Sequence, residues 1–216
     1  MDAGAIERRA TDFRLRELLD HAIGVARGLP GAGALELSLD VAGELPEWLR
    51  GDQPRLAQVL INLLGNAVKF TPAGRVSLRA GTSAAPDGRP LLSLAVADTG
   101  PGIAPEFHER IFEPFGQAEG GAARKGTGLG LAISRRIAHA LGGTLALDSS
   151  PGRGSTFTLL MPLEPGAPQV GDPVAAAGAD ASRRLRILVA EDTPASQLDR
   201  KSTRLNSKSR FGISYA

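Results

Sequence analysis

The feature that most limits how this chain can fold is an apolar helical run that carries two asparagines. Residues 62–71 read Asn-Leu-Leu-Gly-Asn-Ala-Val-Lys-Phe-Thr. Because positions i and i+4 share one face of a helix, Asn62 and Asn66 can present their amide oxygens side by side, with Lys69 close to that face. Such oxygens beside a cation suit a Mg²⁺ ion that bridges phosphates, since Mg²⁺ takes few protein ligands. Taken alone, the pattern fits equally well an amphipathic helix whose asparagines face solvent.

Four short motifs follow the asparagine helix in a fixed order. They begin at Asp98, Phe112, Gly126 and Gly152, and they read Asp-Thr-Gly-Pro-Gly-Ile, Phe-Glu-Pro-Phe, Gly-Thr-Gly-Leu-Gly-Leu and Gly-Arg-Gly-Ser-Thr-Phe. Each motif alone is weak, because glycine-rich pieces are common in turns. Together, the five resemble the N, G1, F, G2 and G3 boxes of the ATP-binding catalytic domain of sensor histidine kinases, in the GHKL superfamily, over residues 13–163.

Periodicity along the chain predicts alternating helices and strands. Helical spacing of apolar residues predicts helices over 13–26, over 53–70 with Asp52 as N-cap, over 105–111 and over 129–141. Alternation of apolar and polar residues predicts strands over 35–41, 75–80, 91–97, 144–148 and 156–162. This is an α/β pattern. The resemblance implies a GHKL-type ATP-binding fold, an α+β two-layer sandwich in which helices cover one face of a mixed β-sheet.

Composition excludes several classes of protein. The 216 residues include no Cys, which rules out a disulfide scaffold and fits a reducing compartment. No apolar run reaches the roughly 20 residues that span a bilayer, so we expect a soluble, cytoplasmic domain, with a membrane anchor possible in a longer parent. The net charge is +2, but five of the 25 Lys and Arg residues fall in the last 18 positions. The body of the chain is therefore slightly acidic, and we expect no nucleic-acid partner.

Composition also predicts the domain boundaries. We expect residues 1–12 to end a preceding linker or helix, 13–163 to form the catalytic domain, and 164–183, rich in Ala, Gly and Pro, to be a linker. We expect residues 184–198 to be the start of a receiver domain, because a largely apolar strand over residues 185–190 is followed by Glu191 and Asp192, and in a receiver such an acidic pair holds Mg²⁺. A receiver is much longer, so this one is truncated. A surface strand with two acids is the alternative.

The last segment lacks the apolar periodicity of a receiver's first helix. Residues 199–207 read Asp-Arg-Lys-Ser-Thr-Arg-Leu-Asn-Ser, which one reading frame of a common short-read sequencing adapter encodes. We therefore expect residues 199–216 to be non-native, with a genuine basic tail as the alternative. Native flanking sequence in the source reads would refute the adapter origin.

The resemblance assigns the adenine end of a nucleotide site. The family's aspartate at the position of Asp98 accepts a hydrogen bond from the adenine amino group, while Gly100 and Gly102 let the backbone approach the base. Thr156 matches a threonine near the adenine. The alternative for Asp98 is an aspartate that only caps a turn.

The phosphate end is assigned to the glycines before a predicted helix. Backbone N–H groups at a helix N-terminus suit phosphate oxygens, which points to Gly126, Gly128 and Gly130. Arg124 and Lys125 can reach the phosphates from the preceding segment. Many relatives carry the longer Arg-Lys-Tyr-Gly-Gly-Thr-Gly, so these contacts are less firmly implied here.

Asn62 also bears on the type of reaction. Relatives that hydrolyse ATP, such as type II topoisomerases, place a glutamate there to activate water, and an amide cannot take a proton. The resemblance therefore favours transfer of the γ-phosphate to a histidine on a separate dimerisation domain. His21, His108 and His139 lie in no acid-flanked phosphoacceptor helix.

The sequence thus predicts a protein-histidine kinase: the catalytic domain of a hybrid sensor kinase, with ATP and Mg²⁺ as cofactors. Its expected partners are its own dimerisation and phosphoacceptor domain and a receiver domain or response regulator, in a homodimeric parent. The alternative is a GHKL-type nucleotide-binding module or an ATPase without histidine kinase activity.

Overall fold

Alternating apolar residues build a five-stranded sheet in the computed structural model, which describes residues 10–116 and 128–168. The secondary elements of these two ranges follow in chain order: β1 Thr11–Arg14, α1 Leu15–Arg27, β2 Leu35–Val41, β3 Trp48–Gly51, α2 Gln53–Phe70, β4 Gly74–Ala84, β5 Pro90–Asp98, α3 Gly130–Ala140, β6 Thr144–Ser149 and β7 Ser155–Pro162.

The main sheet has the order β2-β4-β5-β7-β6. Strands β2 and β4 run parallel, because the crossover between them contains α2, while the other neighbours are antiparallel. The sheet is therefore mixed. The helices pack on the face that carries its buried side chains, which confirms the predicted two-layer α+β fold.

The core lies between this face and the helices. Strand residues such as Leu78, Leu94 and Leu159 are fully buried, and so are Leu60 and Leu64 of α2. Each such side chain contributes about 1.5–3 kcal/mol when it leaves water. The helix with the two asparagines is thus anchored on the sheet by its leucines. None of the helices within the described ranges combines the length and apolar character that a bilayer crossing requires.

Helix α2 begins and ends where the sequence predicts. Asp52 caps it, since the Arg55 N–H donates to Asp52 Oδ1 at 3.2 Å and the Arg55 side chain donates to Oδ2 at 3.0 Å. Only 6% of Asp52 is exposed, so this cap is buried. An N-cap of this kind contributes about 1 kcal/mol and fixes the first turn of the helix.

The sequence pattern does not predict a second, small sheet, because the two strands that form it are only four residues long. Residues 13 and 14 were expected in the first helix, but β1 pairs antiparallel with β3 from Thr11↔Gly51 to Arg14↔Trp48. A run this short shows no clear alternation. The predicted boundary after residue 12 therefore cuts a strand.

The predicted linker also begins too early. Arg50 N–H donates to the Glu164 carbonyl at 2.9 Å, Gly166 N–H donates to the Trp48 carbonyl at 2.8 Å, and Pro165 forms a bridge with Leu49. Residues 164–166 thus extend the small sheet on the other side of β3. The rest of the predicted linker, from residue 169, the receiver-like segment and the tail lie outside the described residues.

The predicted helix over 105–111 is replaced by two 3₁₀ turns, Pro105–Phe107 and Arg110–Phe112. The chain there is too short for a stable α-helix and closes i→i+3 hydrogen bonds instead. Phe112 is buried and meets Phe157 edge to face at 6.3 Å. Phe115, the last residue of the same motif, is 72% exposed.

Candidate nucleotide site

A row of polar side chains ends the buried face of the sheet. The register aligns Asp98 on β5 with Ser155 on β7, and Ser155 with Ser149 on β6. Residues directly opposite in antiparallel strands point to the same side, so these three share the helix-facing surface. The preceding row on the same surface is apolar and contains Val96 and Phe157. The switch from an apolar row to a polar row marks this edge as the candidate site.

The Asp98 carboxyl is held by the backbone around it. The Gly100 N–H donates to Asp98 Oδ1 at 2.8 Å. Burial raises the pKa of Asp98 above its ordinary value of 3.8, and the backbone N–H groups of Gly100 and Ser155 and the nearby Thr71 hydroxyl partly oppose that rise. The Thr71 hydroxyl is buried and makes no hydrogen bond of good geometry among the described residues. The result is a fixed acceptor that retains capacity for one more donor.

The glycines beside Asp98 allow backbones to touch. Gly102 and Gly154 have φ of 72° and 81°. A Cβ on Gly102 would collide with the Ser150 carbonyl, and one on Gly154 would collide with the Asp98 carbonyl. Gly100 is buried, and a Cβ there would lie 2.8 Å from Asp98 Oδ1. The loop after β5 and the turn between β6 and β7 are therefore packed directly on each other, and glycine is required at these contacts.

The prediction for Thr156 does not agree with the register. Thr156 pairs with Ala97 and Asp148, so its side chain lies on the sheet face opposite to that of Asp98. Ser155 takes the place on the side of Asp98 and is 7% exposed. The sequence contained the signal for this correction: Phe157 and Leu159 mark the inward positions of β7, and Ser155 continues their alternation while Thr156 breaks it.

On α2, Asn62 is joined to the neighbouring helix. Its Nδ2 donates to Ser134 Oγ of α3 at 2.8 Å, and its Oδ1 lies against Gly130, where a Cβ would collide with it. Ser134 is 1% exposed, so this hydrogen bond is shielded from water. Sequence reasoning missed Ser134, which is the buried polar residue in an otherwise apolar helix face. The bond orients the Asn62 amide so that its oxygen faces the start of α3.

Asn66 and Lys69 lack such anchors. Both asparagines are half-buried, as expected for positions i and i+4 on one face. Within residues 10–116 and 128–168, no group hydrogen-bonds to the Asn66 amide. The Lys69 side chain is exposed, with Nζ 4.5 Å from the centre of the Phe70 ring. These two side chains are available to a ligand.

The glycine-rich segment is described only from Gly128 onward. Gly128 has φ of 68°, and a Cβ there would lie 2.8 Å from Phe115 Cα. Gly130 is the first residue of α3. The predicted phosphate contacts Arg124, Lys125 and Gly126 lie outside the described residues, as do the predicted receiver acids Glu191 and Asp192.

A mixed sheet with helices on one face, a carboxylate at a strand end and a glycine-lined helix start together define an ATP-binding domain of the GHKL class. Residues 51–165 match the family model described as histidine kinase-, DNA gyrase B-, and HSP90-like ATPase. The chain belongs to this family, and the matched region is the catalytic domain found in sensor histidine kinases.

Two curated relatives show which members of the family this chain is similar to. The chain is 46% identical over 150 residues to the sensor histidine kinase AruS of Pseudomonas aeruginosa, covering 68% of this chain and 15% of that protein. It is 40% identical over 204 residues to the virulence sensor protein BvgS of Bordetella bronchiseptica, covering 89% of this chain and 16% of the relative. This chain therefore spans less than a fifth of the length of these relatives.

Solved structures share the fold. Full-length ShkA in complex with AMPPNP aligns with a TM-score of 0.66 and 37% identity, over 77% of this chain and 34% of ShkA. The nucleotide-free catalytic domain of histidine kinase ThkA aligns with a TM-score of 0.59 and 27% identity, over 71% of this chain and 95% of that domain.

Proposed function

We propose that this domain binds Mg-ATP and supplies the γ-phosphate to a histidine on a separate dimerisation domain of a hybrid sensor histidine kinase. The observation that carries the proposal is the half-buried Asp98 carboxyl at the end of β5, whose Oδ1 accepts a hydrogen bond from the Gly100 N–H. A fixed carboxylate at a buried strand end fits the exocyclic amine of adenine. The likeness to a kinase solved with AMPPNP supports this assignment.

At the base end, Asp98 accepts a hydrogen bond from the adenine amine, and Gly100 and Gly102 form the wall that the base approaches. The side chain that completes this wall is Ser155 rather than Thr156, because only Ser155 shares the face of Asp98. A protonated carboxyl is a weaker acceptor than a carboxylate, so we expect the charged form of Asp98 to bind the amine more tightly.

At the phosphate end, Asn66 and Asn62 are the proposed Mg²⁺ ligands and Lys69 is the proposed phosphate contact. Amide oxygens suit Mg²⁺, which is bound mainly through a few protein oxygens, waters and the substrate phosphates. The donor set fits this use: the Asn66 amide has no hydrogen-bond partner in the described ranges, and the hydrogen bond to Ser134 leaves the Asn62 oxygen free. Gly128 and Gly130, with Gly126, Arg124 and Lys125, complete the proposed phosphate site.

Transfer rather than hydrolysis follows from the residue at position 62. The Asn62 amide cannot remove a proton from water, and its nitrogen is already bonded to Ser134. The side chains near the phosphates position and stabilise charge, which is what phosphoryl transfer needs from a protein. The nucleophile then comes from another domain. We infer that the parent is a homodimer whose receiver, or a response regulator, takes the phosphoryl group onward, and that its anchor, if any, lies outside this domain.

Isothermal titration of the full chain with ATP in the presence of Mg²⁺ tests the proposal. Asp98→Ala should weaken binding about 100-fold, because the adenine amine loses the charged acceptor proposed for it. The matched control is Asp87→Ala, since Asp87 is an exposed carboxylate just before β5, at the end opposite to Asp98, and its side chain bonds to Arg89. Its affinity should stay within about 2-fold. Equal affinities for the wild type and Asp98→Ala, or no binding at all, would refute the site.

Turnover measurements separate the kinase from the ATPase alternative. The chain alone should not hydrolyse ATP at a typical enzyme rate, on the order of 10 s⁻¹. Steady release of phosphate at that rate would favour the ATPase. Acid-labile phosphate on His21, His108 or His139 would contradict an acceptor in a separate domain.

A further inference from the structure

We propose that Ser149 is a positioning residue that locks the base-binding wall and thereby sets the preference for an adenine amine. The inference rests on the proposed function, since it assigns a role to a residue that acts through Asp98. Ser149 lies at the end of β6 and is 7% exposed. Leu145, Leu147 and Ser149 are alternate residues of β6, so their side chains lie on the same, helix-facing side of the sheet. At such a position an apolar side chain is the usual one.

The hydroxyl of Ser149 has all its hydrogen-bonding capacity in use. The Ile103 N–H donates to Ser149 Oγ at 2.8 Å, and Ser149 Oγ donates to the Gly154 carbonyl at 2.9 Å. Ser155 Oγ lies 3.0 Å away, and because the single Ser149 proton goes to Gly154, Ser155 is the donor. A hydroxyl offers one donor and two acceptor positions, so this one is saturated.

The partners of Ser149 belong to the two segments that hold Asp98. Ile103 ends the loop that begins at Gly100, whose N–H donates to Asp98 Oδ1. Ser155 pairs with Asp98 across β5 and β7, and its backbone N–H lowers the pKa of the same carboxyl. The Gly100 donor and the strand partner of Asp98 therefore lie on two backbone segments that the hydrogen bonds of Ser149 join. A direct bond from the Gly152 N–H to the Pro101 carbonyl at 2.7 Å supports the same junction from outside.

All three hydrogen-bond partners of Ser149 lie in the loop, in the turn or at the start of β7, and none of the three lies in a helix of the second layer. Its role is thus specific to the relative placement of the loop and the turn, and through them to the direction in which the carboxyl points. Hydrogen bonds are directional, so a small rotation of the carboxyl weakens its bond to an exocyclic amine. Loss of Ser149 should therefore affect nucleotides that carry this amine and spare those that lack it.

The experiment measures the affinity of the full chain for ATP and for purine riboside 5′-triphosphate, which has the same ring system without the amine. Ser149→Ala should weaken ATP binding about 10-fold, the equivalent of one buried hydrogen bond, and leave the analogue within about 2-fold. Ser149→Thr, which keeps the hydroxyl, should restore the preference. Ser150→Ala is the control, because the Ser150 side chain is exposed next to the same turn.

Three results would overturn the inference. They are an equal loss of affinity for both nucleotides in Ser149→Ala, an unchanged preference for ATP, or failure of the Thr variant to restore it. Ser149→Cys keeps the shape of the side chain, with a slightly larger sulfur that is a weak donor and a weak acceptor. This variant allows the same comparison if the Ala variant does not unfold cooperatively. If the wild type binds neither nucleotide, the proposed function itself is refuted. If the wild type binds ATP more tightly than the analogue and the Ser149 variants show the same preference, only the role of Ser149 is refuted.

Discussion

The two ends of the candidate site are built in opposite ways. At the base end, the Asp98 carboxyl accepts a hydrogen bond from the Gly100 N–H, the hydroxyl of Ser149 is saturated, and glycines let two loops touch without intervening side chains. At the phosphate end, a single hydrogen bond from Asn62 to Ser134 joins α2 to α3, while Asn66 has no hydrogen-bond partner in the part of the chain that the structure describes and Lys69 is exposed.

The difference shows which part of the site is already ordered before a ligand binds. A rigid base end recognises one group at little further entropic cost, because its donors and acceptors are in place before the ligand arrives. At the phosphate end, the side chains gain partners only when phosphates and a metal ion are present. Mutations at the base end should therefore change stability and binding together. At the phosphate end, mutations of Asn66 and Lys69 should change binding alone, whereas a mutation of Asn62 also removes the hydrogen bond to Ser134.

The largest expected effect tests the contact between the loop and the turn. Gly154→Ala should destabilise the domain by about 3 kcal/mol, since its φ of 81° is unfavourable for alanine and its Cβ would collide with the Asp98 carbonyl. Gly152→Ala is matched, because φ is 76° there and nothing lies within 4 Å of its Cβ. It should cost only the backbone strain, about 1 kcal/mol. Thermal unfolding measures both, and equal shifts would show that the loops are not tightly packed.

A second comparison separates the two asparagines. Asn66→Ala should weaken Mg-ATP binding about 10-fold and leave the melting temperature unchanged, because only the ligand is expected to bond its amide. Asn62→Ala should weaken binding and also lower the melting temperature by about 2–4 °C, since the buried bond to Ser134 contributes about 1 kcal/mol. Titration and thermal melts on the same samples would decide. A large loss of stability in Asn66→Ala would show that the phosphate end is as firmly built as the base end.

The smallest effect is the pH dependence at Asp98. Burial raises its pKa above 3.8, so the folded domain holds a proton at pH values where the unfolded chain has lost it. As the pH falls from neutral through the raised pKa, the free energy of unfolding of the wild type should therefore rise relative to Asp98→Asn, which stays neutral. ATP affinity should fall in the same window. Denaturant titrations of both proteins at several pH values measure the difference, and a fall in relative stability would contradict the assigned direction.

The elements with clear periodicity could be read from the sequence, and the contacts between loops could not. The bounds of β2 and α2 and the cap at Asp52 agree with the prediction, because seven or more residues of regular pattern specify them. Strand β1 was missed since four residues carry too little pattern. The motif glycines marked the loops, but Ser149 and Ser134 acquire their meaning only from partners distant in sequence. Thr156 was misplaced because a motif match gives a position in the chain without its side of the sheet.

Strand β3 has a consequence for how force travels through the domain. Its two edges are bonded to β1, through which the chain enters, and to residues 164–166, through which it leaves. Only Asp52 separates β3 from α2, a rod of 18 residues, about 27 Å long, that carries Asn62 and Asn66. Tension applied to the chain before Thr11 or after Gly166 therefore reaches β3 and acts on the N-terminal end of α2. Force applied at either end of the domain is thus transmitted through β3, which lies next to the N-terminus of the helix that carries the proposed metal ligands.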